Sequence, residues 1–168
     1  GLHISQRLRR TLRAGKFQVT CDRNFQGVMR NCATAAGRED ATWITPEMLK
    51  AYCVMHKLGH AHSVEVWLGD ELVGGVYGLG IGGVFGAERM FYRGGDASKG
   101  GLTHLMGHLK GRGYRLFDIQ QWTLHTGSLG AVEIARGEYL NRLAKVVDLP
   151  ITFGSKLEGN PVDLFSRS

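Results

Sequence analysis

Three strand-like runs in the middle of the chain, separated only by short glycine turns, constrain the fold most strongly. Residues 62–68 and 71–79 have the composition of strands, and Gly69-Asp70 between them suits a tight hairpin. A third run, residues 84–91, follows a glycine-rich turn at residues 80–83. Because hairpin turns join antiparallel neighbours, the sequence predicts an antiparallel meander.

Helical patterns lie on both sides of this meander. Thr45 can cap a helix that begins at Pro46, and Gly59 suits its left-handed end. Residues 22–35 carry apolar side chains at the spacing of one buried helical face. The other predicted elements are a basic helix over 5–14, a strand over 17–21, a helix over 98–110, a strand over 114–120, a helix near 137–147 and a strand around 150–153.

This order of elements predicts an α+β fold with one mixed sheet flanked by helices. The chain has 168 residues, 43% of them hydrophobic, which suits one domain with one core. We assign the domain to residues 1–154 and expect residues 155–168 to form a loosely ordered tail. The order is similar to that of GNAT (acyl-CoA N-acyltransferase-like) enzymes, although a fold by itself does not establish an activity.

Charge and cysteine content indicate the kind of environment and partner. The formal charge of +6 favours a polyanionic partner without identifying it. Cys21, Cys32 and Cys53 are odd in number and lack a CxxC spacing, so we expect reduced thiols. No apolar run approaches the roughly 20 residues that cross a bilayer, and the first residues lack the apolar core of a secretory signal. A cytoplasmic protein without a membrane partner is predicted.

Seven strings, in order and at matching spacing, carry a resemblance to a known family. They are TWIT at 42–45, LGHAHSVEVW at 58–67, ELVGGVYG at 71–78, FGAERMF at 85–91, DASK at 96–99, FDIQ at 117–120 and HTGSLGAVEIARGEYL at 125–140. Together they resemble the leucyl/phenylalanyl-tRNA-protein transferase family over about residues 2–153. That family joins a GNAT-like catalytic domain to an N-terminal segment, and we expect this chain to lack the segment.

The resemblance implies an aminoacyl transfer reaction. Its members move Leu or Phe from aminoacyl-tRNA to the N-terminal α-amine of proteins that begin with Arg or Lys, which marks those proteins for N-end-rule degradation. Met is a further candidate for the transferred residue. The implied partners are the aminoacyl-tRNA donor and the acceptor protein or peptide, and no cofactor is implied.

Asp118 and Gln120 are the predicted catalytic residues. Two positions apart on the predicted strand, their side chains would project to one face, with Phe117 and Ile119 on the other. Asp118 would polarise or deprotonate the attacking amine, and Gln120 would orient the peptide or the ester carbonyl. The alternative is an aspartate that only caps the following loop.

Glu88 and Gln120 are the predicted acceptor-binding residues. A carboxylate is the natural partner of an N-terminal Arg or Lys side chain, and Glu88 lies in the middle of a predicted strand. A carboxylate there is costly without a partner. The alternative is a salt bridge from Glu88 to Arg89 or Arg93.

By family position, six residues would line the apolar pocket for the transferred Leu or Phe side chain. Most apolar residues in strands are simply core, which is the alternative for each of them. Val76 and Leu105 stand where the family often has Met and a large aromatic residue, so the pocket is expected to differ in shape. The six are Tyr52, Val76, Phe85, Met90, Leu105 and Ile119.

Contacts to the tRNA are predicted from an aromatic residue and a set of basic positions. Trp43 would stack on the terminal adenosine, a contact of roughly 1–3 kcal/mol, unless it is a structural tryptophan. The backbone contacts would come from Arg7 and Arg10 in the basic first helix, and from Ser98 and Lys99 at a helix start. Individually, such charges are ordinary solvated side chains.

No metal site is predicted. His56, His60 and His62 are close in sequence, and His104 and His108 are four residues apart. Neither set is completed by an HExxH carboxylate or a nearby cysteine, so hydrogen-bonded or surface histidines are expected.

Two other functions remain open. One is an acetyl-CoA-dependent N-acetyltransferase, although Asp96 stands where such enzymes have a glycine in the pyrophosphate loop. The other is a module that binds a peptide or RNA without catalysis.

Overall fold

The computed structural model describes residues 3–35, 44–120 and 123–158, and its centre is a sheet of five strands. The strands lie in chain order as β1 (Gln18–Cys21), β2 (Ala61–Leu68), β3 (Glu71–Ile81), β4 (Val84–Tyr92) and β5 (Leu116–Asp118). All neighbours are antiparallel except β4 and β5, which are parallel. The predicted meander and the α+β class are confirmed, and the mostly antiparallel open sheet is compatible with a GNAT-like fold.

Helices flank this sheet, and their ends follow local capping rules. Thr45 accepts a hydrogen bond from the Met48 N–H at 3.2 Å, Pro46 occupies the first turn, and Gly59 follows the helix with φ 84°. No helix in the described ranges is both long and apolar enough to cross a membrane. The helices are α1 (Gln6–Arg13), α2 (Phe25–Ala35), α3 (Pro46–Lys57), α4 (Gly95–Arg112), α5 (Leu124–Ser128) and α6 (Arg136–Val146).

The two faces of the sheet carry separate apolar clusters. On the face covered by α2 and α3, Phe25 packs with Tyr77. On the face covered by α4, Val76 and Phe85 pack with Leu105. Neighbouring positions on β3 thus serve opposite faces, as strand alternation requires. Burying side chains such as Phe85 and Leu105 contributes about 1.5–3 kcal/mol each, so each cluster fixes its helix firmly on the sheet.

A β-bulge interrupts β4 at Glu88. Tyr77 pairs with Arg89, but the next residue of β3, Gly78, pairs with Ala87. Glu88 therefore has no partner of its own on β3. Bulges leave one residue unpaired and redirect its side chain, and they are common beside active sites.

The bulge also reverses which residues of β4 face α4. Phe85 lies before it on the α4 face, and Met90 packs against the same cluster after it. Met90 is five positions after Phe85, an odd number, so an uninterrupted strand would place the two side chains on opposite faces. Phe91 consequently joins the cluster on the α2 and α3 face.

The turn between β3 and β4 fixes the elements that follow it. The Gly83 N–H donates to the Val146 carbonyl at 2.8 Å. The Gly83 carbonyl accepts hydrogen bonds from the N–H groups of Arg115 and Leu116 at 2.9 and 3.1 Å. This one glycine therefore ties the start of β5 and the end of α6 to the sheet.

The strand predicted over 114–120 is shorter in the structure. β5 ends at Asp118, and Gln120 has φ 62°, in the left-handed region. A residue in that conformation cannot continue a strand, so the chain turns away from β4 after Asp118.

The strand predicted around 150–153 does not form. Phe153 is buried, and its carbonyl accepts a hydrogen bond from His108 Nε2 at 2.6 Å instead of pairing in the sheet. The Glu158 N–H donates to His108 Nδ1 at 2.9 Å, and Arg112 pairs with the Glu158 carboxylate. Residues 159–168 of the predicted tail lie outside the described residues.

Candidate functional site

A cavity of about 700 Å³ lies along the outer side of β5, and we call it the β5 cavity. Residues 115–120 form one wall and residues 129–134 form another, with side chains of α4 and α6 between them. Small-molecule sites commonly have volumes of about 300–1,000 Å³. The segment that carries the predicted catalytic pair therefore borders a cavity of suitable size.

Asp118 is held in this cavity through both carboxylate oxygens. Oδ1 accepts a hydrogen bond from the Gln120 N–H at 2.7 Å, and Oδ2 accepts one from the Tyr139 hydroxyl at 2.8 Å. The first contact is the loop-capping role that the sequence left as the alternative. Because each carboxylate oxygen can accept two hydrogen bonds, both oxygens keep capacity for a ligand. Asp118 is thus oriented and half-buried, and within the described part of the chain each of its oxygens accepts one side-chain or backbone hydrogen bond.

Gln120 reaches the same cavity by a route that the sequence did not predict. It lies beyond the end of β5, so strand alternation does not set the direction of its side chain, and that part of the prediction was wrong. It nevertheless lines the β5 cavity together with Asp118. A glutamine at positive φ is uncommon, and such residues cluster at functional sites.

Tyr139 is a site residue that sequence reasoning missed. It lies in the first half of α6, and its hydroxyl donates to a carboxylate 21 positions earlier in the chain. Burial, the hydrogen bond to Asp118 and the charge of that carboxylate raise the pKa of Tyr139 above its usual value. The hydroxyl therefore stays protonated and able to donate at neutral pH. The GEYL string contains this residue, but only the packing of α6 reveals its partner.

The β5 cavity has an apolar wall at the level of α4. Leu102 and Met106 contribute from α4, and Phe117 and Ile119 contribute from the segment around β5. This wall lies next to Asp118 in the same cavity. An aliphatic or aromatic ligand side chain would lose water against these four residues without moving the sheet.

Basic residues lie on the same cavity. Arg115 and Arg136 are exposed, and neither forms an ion pair with a carboxylate within the described part of the chain. Arg142 also lines the cavity, but it pairs with Glu138 one helical turn earlier. Two arginines are thus available to an anionic group beside the apolar wall.

Glu88, the predicted acceptor carboxylate, lies at the bulge and contacts α3 rather than the β5 cavity. Burial, the charge of Glu88 and hydrogen bonding to Glu88 together raise the pKa of Tyr52. Arg93, one of the two ion-pair partners considered from the sequence, pairs with Glu71 at 2.7 Å. Glu88 is therefore a half-buried carboxylate, redirected by the bulge and contacted by a tyrosine.

The six residues assigned to the aminoacyl pocket do not form one pocket in the structure. Val76, Phe85 and Leu105 are at most 3% exposed and belong to the core cluster under α4. Tyr52 packs against the cluster on the opposite face of the sheet. Of the six, Ile119 is the one that lines the β5 cavity.

A second, very small cavity lies beside Val76 and Met90. Its volume is about 10 Å³, and Ser98 and Leu102 also line it. That space is close to the minimum for one water molecule and cannot hold a leucine side chain. Leu102 also lines the β5 cavity, so this residue separates the two spaces.

Ser98 and His125 form a contact that the sequence did not indicate. The Ser98 hydroxyl lies 2.7 Å from His125 Nε2, and Ser98 is 6% exposed. Burial and then the nearby charge of Lys99 lower the pKa of His125, so the imidazole is neutral at pH 7. Ser98 thus faces the interior and holds α5 through His125. Lys99, the next residue, is half-buried.

The predicted tRNA-contacting residues are spread over the surface. Arg7 and Arg10 are exposed on α1, whose buried Leu8 packs in a cluster with Leu102 of α4. The basic helix predicted at the start of the chain is therefore present. Trp43 lies outside the described residues.

Four of the five histidines that could suggest a metal site, all except His60, have side-chain hydrogen-bond partners among the described residues. His62 Nδ1 lies 2.8 Å from Asp22 and His56 Nδ1 lies 2.8 Å from the Ala61 carbonyl. His104 Nδ1 lies 2.8 Å from the Gly100 carbonyl, and both nitrogens of His108 are bonded. These imidazoles therefore hold segments of the fold together.

Comparison with known proteins gives one consistent result. The sequence model of a family described as leucyl/phenylalanyl-tRNA protein transferase matches residues 1–144. A relative from Ruegeria pomeroyi, named leucyl/phenylalanyl-tRNA–protein transferase, is 45% identical over 167 residues, which cover 99% of this chain and 78% of the relative.

Two further relatives carry the same name. The protein from Magnetococcus marinus is 45% identical over 158 residues, covering 91% of this chain and 67% of the relative. The protein from Syntrophobacter fumaroxidans is 48% identical over 159 residues, covering 94% and 68%. The chain thus spans about two thirds to three quarters of the length of these relatives.

Proposed function

The chain belongs to the leucyl/phenylalanyl-tRNA–protein transferase family, and from this premise we propose that it transfers an aminoacyl group from aminoacyl-tRNA to the N-terminal α-amine of a protein. The proposed donors are Leu-tRNA and Phe-tRNA, with Met-tRNA as a further candidate. The proposed acceptors begin with Arg or Lys and are marked by the transfer for N-end-rule degradation. The reaction is set in the cytoplasm, where aminoacyl-tRNA is available.

The observation that carries the proposal is Asp118, oriented by Tyr139 in a cavity with an apolar wall and two arginines without an ion-pair partner among the described residues. In the reaction, the amine nitrogen attacks the ester carbonyl, a C–N bond forms, and the ribose oxygen leaves with a proton. An α-amine has a pKa of about 7.7–8.0, so part of it is neutral at pH 7 and positioning accounts for much of the catalysis. Asp118 would accept or direct the proton of the amine, and Gln120 would orient the carbonyl.

The donor fits the rest of the β5 cavity. The transferred side chain would lie against Leu102, Met106, Phe117 and Ile119. Of the six residues assigned from family position, this placement uses Ile119. The cavity beside Val76 is too small to hold the transferred side chain. Arg115 and Arg136 would contact phosphates near the 3′ end of the tRNA, and Arg7 and Arg10 would contact the backbone further away. Trp43 remains the proposed stacking residue.

The direct test measures transfer of labelled Leu or Phe from tRNA to a peptide that begins with Arg. The unaltered chain should produce labelled peptide. Asp118→Asn should reduce the rate about 100-fold or more, as loss of acid–base assistance does, with little change in peptide affinity. Asp70→Asn, in the exposed β2–β3 turn, is the matched control. An unchanged rate for Asp118→Asn would refute the catalytic role.

Acceptor selection is tested at Glu88. We propose that the carboxylate redirected by the bulge pairs with the N-terminal Arg or Lys side chain. Glu88→Gln should weaken transfer to Arg and Lys peptides about 10-fold while changing transfer to an Ala peptide little, because a charge-assisted hydrogen bond is lost. Equal losses for all three peptides would assign Glu88 a structural role instead.

The alternatives give distinct outcomes in the same assays. An acetyl-CoA-dependent enzyme would bind acetyl-CoA tightly and ignore aminoacyl-tRNA, although Asp96 in the first turn of α4 opposes a pyrophosphate. A binding module would retain the peptide and yield no labelled product.

A further inference from the structure

β5 is an edge strand with an open side. It pairs with β4 on one side, and residues 115–120 line the β5 cavity on the other. Within the described ranges, no strand pairs with this outer side. An edge of this kind presents unpaired N–H and C=O groups to any extended chain that approaches it.

The direction of the backbone groups can be read from the pairing with β4. The Leu116 N–H donates to the Gly83 carbonyl, and Leu116 and Asp118 are in register with Val84 and Gly86. Alternate residues of a strand direct their backbone groups to opposite edges. The N–H and C=O of Phe117 therefore point away from β4, toward the cavity.

Residues 132–134 of the opposite wall have no regular secondary structure, and within the described part of the chain no backbone hydrogen bond joins them to β5. The space between the two walls is the β5 cavity itself, at about 700 Å³. One extended peptide segment fits between them in volume, within the usual range of ligand sites.

We propose that the outer edge of β5 binds the main chain of the acceptor polypeptide as an added antiparallel strand, with its second residue exchanging both hydrogen bonds with Phe117. This inference rests on the proposed function, because that function supplies a polypeptide whose amine must reach Asp118. Asp118 directly follows Phe117, so an amine at Asp118 places the second acceptor residue beside Phe117. The acceptor then leaves past Leu116 and Arg115.

Main-chain pairing explains how one site accepts many proteins. Strand addition obtains its affinity from backbone hydrogen bonds, which do not depend on the side chains of the added chain. Selection would then fall on the first residue, at Glu88, and the residues that follow could vary freely.

The experiment compares three peptides that begin with Arg and differ only in backbone methylation. One is unmodified, one is N-methylated at residue 2, and one is N-methylated at residue 3. The N–H of residue 2 faces Phe117 and that of residue 3 faces away. Methylation at residue 2 should therefore raise Kd about 10-fold, and methylation at residue 3 should change it by less than about twofold. Binding is measured by fluorescence anisotropy on the full chain.

Amide hydrogen exchange gives a second readout with an internal control. Binding of the unmodified peptide should slow exchange of the Phe117 amide and leave the Leu116 amide, already bonded to Gly83, unchanged. Equal affinities of the two methylated peptides, or an unprotected Phe117 amide in the complex, overturn the inference. Protection of Phe117 by an aminoacyl-adenosine but not by peptide overturns it as well.

Failure of the proposed function is separable from failure of this inference. The unmodified peptide in the transfer assay tests the function alone. If it is not labelled, but methylation at residue 2 still weakens binding and Phe117 is protected, strand addition stands and the transfer reaction falls.

Discussion

Asp118 shows how a short polar side chain can hold a local turn and also be oriented in a cavity. Its Oδ1 accepts a hydrogen bond from the Gln120 N–H in the following turn, and its Oδ2 accepts one from the Tyr139 hydroxyl. The turn bond sets the position of the carboxylate, and the tyrosine sets its rotation. We therefore regard Tyr139 as a positioning residue for the proposed reaction.

Tyr139→Phe tests this role at the scale of a single hydroxyl. The change removes one hydrogen bond to a charged group, so kcat for transfer should fall about 10-fold while KM for the peptide changes little. The fold should lose no more than about 3 kcal/mol of unfolding free energy, because only the hydrogen bond is removed and the aromatic ring stays. Steady-state kinetics and urea unfolding measure the two quantities.

Tyr114→Phe is the matched control for that change. Tyr114 is also half-buried, but it packs edge-on against Phe85 in the core cluster. Its loss of a hydroxyl should leave kcat unaltered. A similar fall in kcat for both variants would mean that Tyr139 acts only through general stability.

At the scale of elements, two irregularities in the meander position the residues of the candidate site. The bulge at Glu88 turns a carboxylate toward α3 and brings Met90 to the α4 face. The tight turn at Gly82 and Gly83 holds the end of α6 and the start of β5. Without the bulge and this turn, regular strands would neither direct Glu88 toward α3 nor hold α6 beside β5.

Gly82→Ala tests the turn. Gly82 has φ 54°, and an added Cβ would overlap the carbonyl oxygen of Val147 at the end of α6. The backbone must move, so we expect a loss of about 3 kcal/mol or more in unfolding free energy, with α6 displaced from Asp118. Urea unfolding and the transfer rate should both report the change.

Gly69→Ala separates backbone strain from this overlap. Gly69 also has positive φ, 60°, but an added Cβ there meets nothing within 4 Å. Only the left-handed conformation is penalised, by about 1–2 kcal/mol, and transfer should be unaffected. Equal losses for the two variants would contradict the role of the contact with Val147.

The basic helix α1 is a second element with a testable role. Arg7 and Arg10 lie exposed on it, where they can approach a polyanion. The double variant Arg7→Gln with Arg10→Gln should reduce the slope of log affinity for tRNA against log salt by up to about 2, because each lost phosphate contact removes up to about one released counterion. Arg30→Gln on α2 is the control and should leave the slope unchanged; an unaltered slope in the double variant would remove α1 from the interface.

At the scale of the whole molecule, three buried or half-buried histidines should make the unfolding free energy depend on pH. His108 Nδ1 accepts a bond from the Glu158 N–H, so the ring is neutral and Nε2 carries the hydrogen donated to Phe153. Burial lowers the pKa of His108, His104 and His125 below the usual value near 6.5. All three shifts have the same sign.

Unfolding free energy should therefore fall as pH decreases below about 6.5. In this window the unfolded chain binds more protons at these histidines than the folded chain does, so acid favours unfolding. Well above pH 6.5 the histidines are neutral in both states and their contribution is constant. Urea unfolding at pH 7.5, 6.5 and 5.5 measures the trend. His108→Gln, which cannot titrate, should flatten it, and an unchanged slope would exclude His108 as a source.

Local patterns in the sequence were sufficient for most elements. The glycine turns predicted the meander, Thr45, Pro46 and Gly59 predicted α3, and both were confirmed. These signals succeed because turns and caps depend on the conformational limits of residues close together in the chain. The ordered strings likewise identified the family.

Only the tertiary structure decided which residues meet. The bulge at Glu88 places Phe85 and Met90 on one face, and Tyr139 reaches Asp118 from a separate helix. Gln120 leaves the strand at positive φ, contrary to the alternation expected for it. The physical reason is common to all three: strand register and helix docking depend on contacts between distant segments, and no local periodicity encodes an extra residue in one strand or a hydroxyl brought in from another element.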